Sequence, residues 1–141
     1  MYWYDRAVEW AQEADDGPMQ GYVLLRKSQL AYDRQDALKV LTLAEAAQHS
    51  STRLQIGVRA EVLQQQALGL AMMGEPVRKV EMKLDEARGL LPGVSEEEPG
   101  TLGSSFTEHV LSLRSSACFT EAGNPARATE ILGSIIAGGS L

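Results

Sequence analysis

Residues 74–78 read Gly-Glu-Pro-Val-Arg, and the same pattern returns at residues 123–127 as Gly-Asn-Pro-Ala-Arg. A degenerate third copy, Gln-Asp-Ala-Leu-Lys, occupies residues 35–39. Each copy ends one helix, supplies a polar capping residue and then begins an apolar stripe with helical spacing. Because the turn is so short, the two flanking helices must run antiparallel. The repeated turn therefore predicts three helical hairpins.

Apolar residues with helical periodicity extend from these turns over almost the whole chain. The periodicity predicts seven helices, the first at about residues 2–15 and the last ending before residue 138. No segment alternates between apolar and polar residues as a half-buried strand does. We therefore predict an all-α fold.

The predicted organisation is a single domain over residues 1–141. Its parts are the trailing helix of an incomplete repeat at 1–16, a first hairpin at 18–49, a second at 53–91, an acidic loop at 92–103 and a third hairpin at 104–138. The loop is predicted because residues 92–103 contain two prolines, three glycines and three successive glutamates. Ser105 and Glu108 have the spacing of a capping box, which would begin the sixth helix.

These turns and the residues around them resemble the tetratricopeptide repeat, a helical hairpin that stacks into a superhelix. With Gln35 aligned to the turn glycine of that family, small or apolar residues occupy the family's fixed points, namely Leu24, Ser28, Ala31, Val40, Ala44 and Ala47. The second hairpin needs a one-residue slip to bring its apolar stripe onto the same points. Lys27 and Ser115 stand where the family usually has a large apolar residue. The resemblance implies a helical-repeat solenoid of one unpaired N-terminal helix and three antiparallel hairpins.

A narrower resemblance covers residues 2–36, with Tyr-Trp-Tyr-Asp-Arg-Ala at 2–7 and Leu-Leu-Arg-Lys-Ser at 24–28. This stretch is similar to the C-terminal repeat region of actinobacterial transcription regulators. In those bacterial proteins a helix-turn-helix DNA-binding domain precedes the repeats. The resemblance implies that this chain is a regulatory region that does not itself contact nucleic acid.

Composition excludes several function classes. The net charge of −6 disfavours nucleic-acid binding, because phosphates require a concentrated basic surface. No apolar run approaches the ~20 residues of a membrane span, and residues 1–5 do not read as a signal peptide, so we expect a cytoplasmic protein. Cys118 is the single cysteine, and His49 and His109 lack metal-ligand spacing. We therefore predict a protein that is not an enzyme, with no catalytic residue, metal or cofactor.

Tetratricopeptide proteins bind peptides in a concave groove formed by the first helix of each hairpin. The resemblance carries this role to nine positions, which are Tyr22, Leu25, Gln29, Tyr32 and Asp33 in the first hairpin and Glu61, Gln64, Leu68 and Met72 in the second. Their aromatic, aliphatic and amide groups suit an extended peptide or an amphipathic helix. The predicted function is an interaction or ligand-sensing module with a protein or peptide partner.

Two alternatives stay open. The first is a structural scaffold that forms homo-oligomers through its end helices. Tyr2, Trp3, Tyr4 and Trp10 concentrate aromatic side chains on the first helix, whose face is left bare if its partner helix is missing. The second is a small-molecule sensor that uses the same concavity as a pocket.

Overall fold

The fold is given by a computed structural model, which describes residues 2–13, 17–50, 52–97 and 100–138. Within these ranges the chain forms seven α-helices and no strand. The helices are α1 (Tyr2–Glu13), α2 (Gly17–Asp33), α3 (Ala37–His49), α4 (Ile56–Met72), α5 (Val77–Glu96), α6 (Glu108–Glu121) and α7 (Pro125–Ala137). None of the helices in the described ranges is both long and apolar enough to cross a membrane. The predicted all-α class is confirmed.

The three repeated turns share one hydrogen-bonded geometry. Gln35, Gly74 and Gly123 have φ values of 55°, 79° and 76°, which is the left-handed region. The residue after each of them donates its backbone N–H to the carbonyl oxygen five residues earlier, at 2.8–3.0 Å. This arrangement is the Schellman motif, which satisfies carbonyl groups at the end of a helix. The repeat in the sequence is therefore a repeat of helix termination.

The second turn is one residue longer than the other two. Asp36 and Asn124 directly follow their left-handed residues, and each side chain accepts a hydrogen bond from the first turn of the next helix. In the second turn Glu75 intervenes before Pro76, which is the N-cap of α5. This additional residue explains why the buried stripe of α5 is displaced by one position relative to the stripes of α3 and α7.

Consecutive helices pack as the pairs α2–α3, α4–α5 and α6–α7, and the first helices also pack on one another, α2 on α4 and α4 on α6. α4 lies in the middle, packed against α2, α3, α5 and α6. Because it has neighbours on every side, α4 buries even its polar residues Glu61, Gln64, Gln65 and Gln66. The main apolar core surrounds this helix, and a smaller cluster lies near its beginning.

The boundary of the predicted acidic loop is wrong, because α5 continues through Pro92 to Glu96. A proline inside a helix removes one backbone hydrogen bond. Here the last turn of α5 packs on the start of α4, where Val94 is buried and the Glu97 carboxylate accepts from the Ile56 N–H at 2.9 Å. A carboxylate stabilises the N-terminus of a helix. Residues 98–99 of the predicted loop lie outside the described residues.

The predicted capping box is also wrong. Thr107, not Ser105, is the N-cap of α6, and its Oγ1 accepts a hydrogen bond from the Val110 N–H at 3.4 Å. Phe106 lies before the cap with its side chain buried in the main core. Because burial of Phe106 holds it outside the helix, α6 begins at Glu108.

The outer helices keep bare faces. On α1 the Trp3 side chain is 73% exposed and Tyr2 is also exposed, which confirms the predicted bare face for these two residues. The side chain of Trp10 is outside the described part of the chain. On α7, Ile136 is 66% exposed. Both ends of the helical array therefore present apolar side chains to solvent.

Candidate functional site

An open cavity of about 340 Å³ lies between α2, α4 and α6, with Tyr4 of α1 at its edge. Five of the nine residues predicted for the groove line it, namely Gln29, Tyr32, Asp33, Gln64 and Leu68. Five further lining residues come from the same three helices, namely Arg26, Leu30, Gln65, Arg114 and Ala117. The first helices of all three hairpins thus contribute to one concave surface.

The other four predicted groove residues lie elsewhere. Leu25 has no exposed surface and belongs to the smaller core cluster, against which Tyr22 also packs. Met72 packs against the main core. Glu61 is buried, but its carboxylate contacts residues that line the cavity. Of these four residues, Glu61 is therefore the one that forms ion pairs with residues lining the cavity.

Glu61 joins the three first helices through one oxygen atom. Its Oε2 accepts from Gln29 Nε2 of α2 at 3.2 Å and from Arg114 Nη1 of α6 at 3.2 Å. Arg26 Nη1 of α2 lies 3.7 Å from the same oxygen. The Glu61 side chain is only 4% exposed, so these contacts are weakly screened by water. A buried carboxylate needs such partners to stay charged.

The two arginines around Glu61 are also held by aromatic rings. The guanidinium carbon of Arg26 lies 4.8 Å from the centre of the Tyr22 ring, and that of Arg114 lies 5.3 Å from the centre of the Phe106 ring. Such cation–π contacts restrict the side chains. With exposed fractions of 30% and 35%, the two arginines remain accessible from the cavity. The two arginines are therefore ordered positive groups at the same height along the groove, which we call the arginine level.

A second level of the groove, at Tyr32 and Asp33 near the end of α2, is acidic. Tyr32 on α2 donates from its hydroxyl to Glu121 Oε1 on α6 at 3.2 Å, and Asp33 lies exposed beside it. Burial, and then the Glu121 carboxylate, raise the pKa of Tyr32 above its usual range. The hydroxyl therefore stays neutral and cannot cancel the charge of Glu121.

Neutral hydrogen bonds tie the floor of the cavity to α3. Gln65 Nε2 donates to Ser28 Oγ at 3.0 Å, and Ser28 Oγ donates to the Val40 carbonyl oxygen at 2.7 Å. Beneath the cavity, burial raises the pKa of Cys118 to about 12, although a hydrogen bond with Gln64 opposes this shift. Burial therefore favours the neutral thiol form of Cys118.

Sequence reasoning did not include Arg26 and Arg114 in the groove, although a signal for them exists. Arg26 stands nine residues before Gln35, and Arg114 stands nine residues before Gly123. The equivalent residue of the second hairpin, Gln65, also lines the cavity. The register that selected Gln29 and Gln64 takes residues six and ten positions before the turn, so it passed over the two arginines, which share the position nine residues before it.

A larger cleft of about 720 Å³ lies on the other face of α4, between the end of α3 and the middle of α5. Its charged and titratable lining residues are His49, Arg59 and Glu86, all of which are exposed. Exposed charges are screened by water and contribute little to binding. The smaller cavity has the more organised polar groups, because its charges converge on a buried carboxylate.

No family model, no curated protein and no solved structure matches this chain.

Proposed function

We propose that this chain is a tetratricopeptide-like interaction module that binds a peptide segment of a partner protein. The binding site is the cavity between α2, α4 and α6. The observation that carries the proposal is that the first helix of every hairpin contributes side chains to this one concave surface. A site of this kind is incomplete in any single hairpin, so it requires the whole array.

Three features support the tetratricopeptide arrangement. The three Schellman turns have equivalent hydrogen bonds, the helices pack as consecutive pairs, and the first helices pack on one another. In such an array the apolar stripes are used for packing between helices. Recognition then falls to the residues that line the groove, which are three amides, two guanidinium groups, one carboxylate, two tyrosines and three aliphatic side chains. As the regulatory region of a transcription regulator, the module would couple peptide binding to the state of a neighbouring domain.

Blocking the cavity tests this function. A displayed library of random peptides is first selected on the wild-type chain, and the enriched peptides are then titrated against variants. Ala117 lines the cavity and is partly exposed, so Ala117→Trp should fill the groove without entering the core. We expect peptide binding to weaken at least about tenfold, which corresponds to about 1.4 kcal/mol.

The matched control is Ala126→Trp, because Ala126 is exposed on α7 and lies outside the cavity. This variant should bind the selected peptides as the wild type does. Equal loss in both variants, or no loss in either, contradicts the cavity as the binding surface. A selection that enriches no peptide contradicts the interaction function itself.

A further inference from the structure

The repeat register places charges of opposite sign at two levels of the groove. α2 carries Arg26 nine residues and Asp33 two residues before its turn residue Gln35. α6 carries Arg114 and Glu121 at the same two distances before Gly123. The outer helices of the cavity therefore repeat one arrangement, with a basic residue followed by an acidic residue seven positions later.

Contacts between the helices hold the two arginines together and join Glu121 to Tyr32, the residue before Asp33. Glu61 bridges Arg26 and Arg114, while the Tyr32 hydroxyl links α2 to Glu121 of α6. Seven residues of an α-helix rise by about 10.5 Å, so this is the separation of the arginine level from the acidic level. The cavity extends across both levels, because Arg26 and Asp33 both line it.

Neither level is neutral. Two guanidinium groups share the single carboxylate of Glu61, which leaves an excess of one positive charge. At the other level, Asp33 and Glu121 are both negative, and the partner of Glu121 is the neutral hydroxyl of Tyr32. A ligand with two separated charges can satisfy both levels at once, since arginine pairs well with a carboxylate and Asp or Glu with an ammonium group.

We infer that the groove binds a peptide segment that carries one acidic and one basic side chain three residues apart. The acidic side chain lies between Arg26 and Arg114, and the basic side chain lies at Asp33, the acidic residue that lines the cavity. A peptide in the polyproline II conformation has three residues per turn and a rise of about 3.1 Å, so these side chains share a face about 9 Å apart. This separation matches the two charged levels. The inference rests on the proposed function and specifies its ligand class.

A set of synthetic peptides of one composition tests the spacing. Each peptide contains one glutamate and one lysine in a proline- and serine-rich sequence, with an acetylated N-terminus and an amidated C-terminus so that the ends carry no charge. Glutamate and lysine are placed one, three or five positions apart, in both orders, and binding is followed by NMR titration at low ionic strength. We expect the three-residue spacing to bind about tenfold more tightly than the one-residue spacing, in one of the two orders.

Changing the charge of one level should change the preferred peptide. Asp33→Lys brings the net charge of the acidic level from −2 to zero, and the variant should lose the preference for the glutamate–lysine peptide over a peptide with two glutamates three positions apart. Arg26→Gln makes the arginine level neutral while Glu61 keeps its ion pair with Arg114, and it should weaken binding of the acidic residue. Arg78→Gln is the control, because Arg78 is exposed on α5 away from the cavity.

The outcomes separate this inference from the function on which it rests. If the peptides selected from the random library lose their binding in the Ala117→Trp variant but contain no preferred charge spacing, the inference is wrong and the interaction function stands. Binding of the synthetic peptides that ignores spacing, or an Asp33→Lys variant with unchanged preference, also overturns the inference. If no library peptide depends on the cavity, both proposals fail.

Discussion

α4 lies in the interior of the helical array, whereas α7 lies at its end. α4 packs against α2, α3, α5 and α6, whereas α7 packs against α6. α4 buries 13 of its 17 residues, including one glutamate and three glutamines, while α7 buries only Ala128 and Ile135. The aliphatic side chains Leu132 and Ile136 of α7 stay exposed. In a stack of helices, the number of neighbours therefore decides burial more than the composition of the helix does.

The largest expected difference between the two helices concerns apolar truncation. Leu63→Ala in α4 removes a buried side chain of the main core and should reduce the free energy of unfolding by about 2–5 kcal/mol. Ile136→Ala in α7 removes an exposed side chain and should change it by less than about 0.5 kcal/mol. Urea unfolding followed by circular dichroism measures both values. Similar losses in the two variants contradict the comparison.

Two glycines give the next largest difference. A Cβ at Gly69 of α4 would lie 2.8 Å from the Cα of Leu41 in α3, whereas a Cβ at Gly133 of α7 meets no atom within 4 Å. We expect Gly69→Ala to destabilise the fold by about 1–3 kcal/mol, because the helix backbones must separate. Gly133→Ala should instead stabilise it by about 0.5–1 kcal/mol through better helix propensity. Thermal unfolding would show opposite signs, and a shift of the same sign in both would break the comparison.

A further difference concerns the reactivity of the Cys118 thiol, which is buried in α6 between the middle and the end of the array. Its pKa of about 12, against an ordinary value of 9.0, makes the thiolate about a thousandfold scarcer in the folded protein at pH 8. Cys118 should therefore react with a thiol reagent much more slowly than a cysteine introduced at the exposed Ser134 of α7, measured in a Cys118→Ala background. Equal reaction rates would contradict the burial of Cys118.

The same pKa predicts a dependence of stability on pH. Between about pH 9 and pH 12 the unfolded chain loses the proton of Cys118 while the folded chain keeps it. The free energy of unfolding should therefore fall as the pH rises through this range. Cys118→Ala should remove this part of the dependence, and urea titrations at pH 8 and pH 10 of both proteins would show it.

The fold was largely predictable because its signals are local. The turn at residues 74–78 and its copies end helices through hydrogen bonds between near neighbours in the chain, and those bonds follow from residue type and spacing. The errors occur where packing between distant segments overrides a local rule. Pro92 stays inside α5 because the last turn of that helix packs on the start of α4, and Phe106 moves the start of α6 because it is buried.

The groove was only partly predictable from the register of the repeat. Register shows which face of a helix a residue occupies, and it placed Gln29, Tyr32 and Leu68 on the cavity. It does not show how far a connection between helices covers that face. Leu25 shares the register but lies fully buried, because Leu54 from the segment between α3 and α4 packs against it. Such coverage depends on the path of the chain and has no pattern in the local sequence.

Glu61 has a consequence for how the array unfolds. In repeat proteins, stability is approximately a sum of terms for each repeat and for each pair of adjacent repeats, so end repeats can melt before the rest. Here the carboxylate of the middle hairpin is charge-paired from both sides, and the Tyr32–Glu121 hydrogen bond joins the first hairpin directly to the third. Detaching either outer hairpin costs Glu61 one of its two ion pairs and also breaks the hydrogen bond between the first and third hairpins. The three hairpins are thereby coupled beyond nearest neighbours, so we expect them to unfold as one cooperative unit.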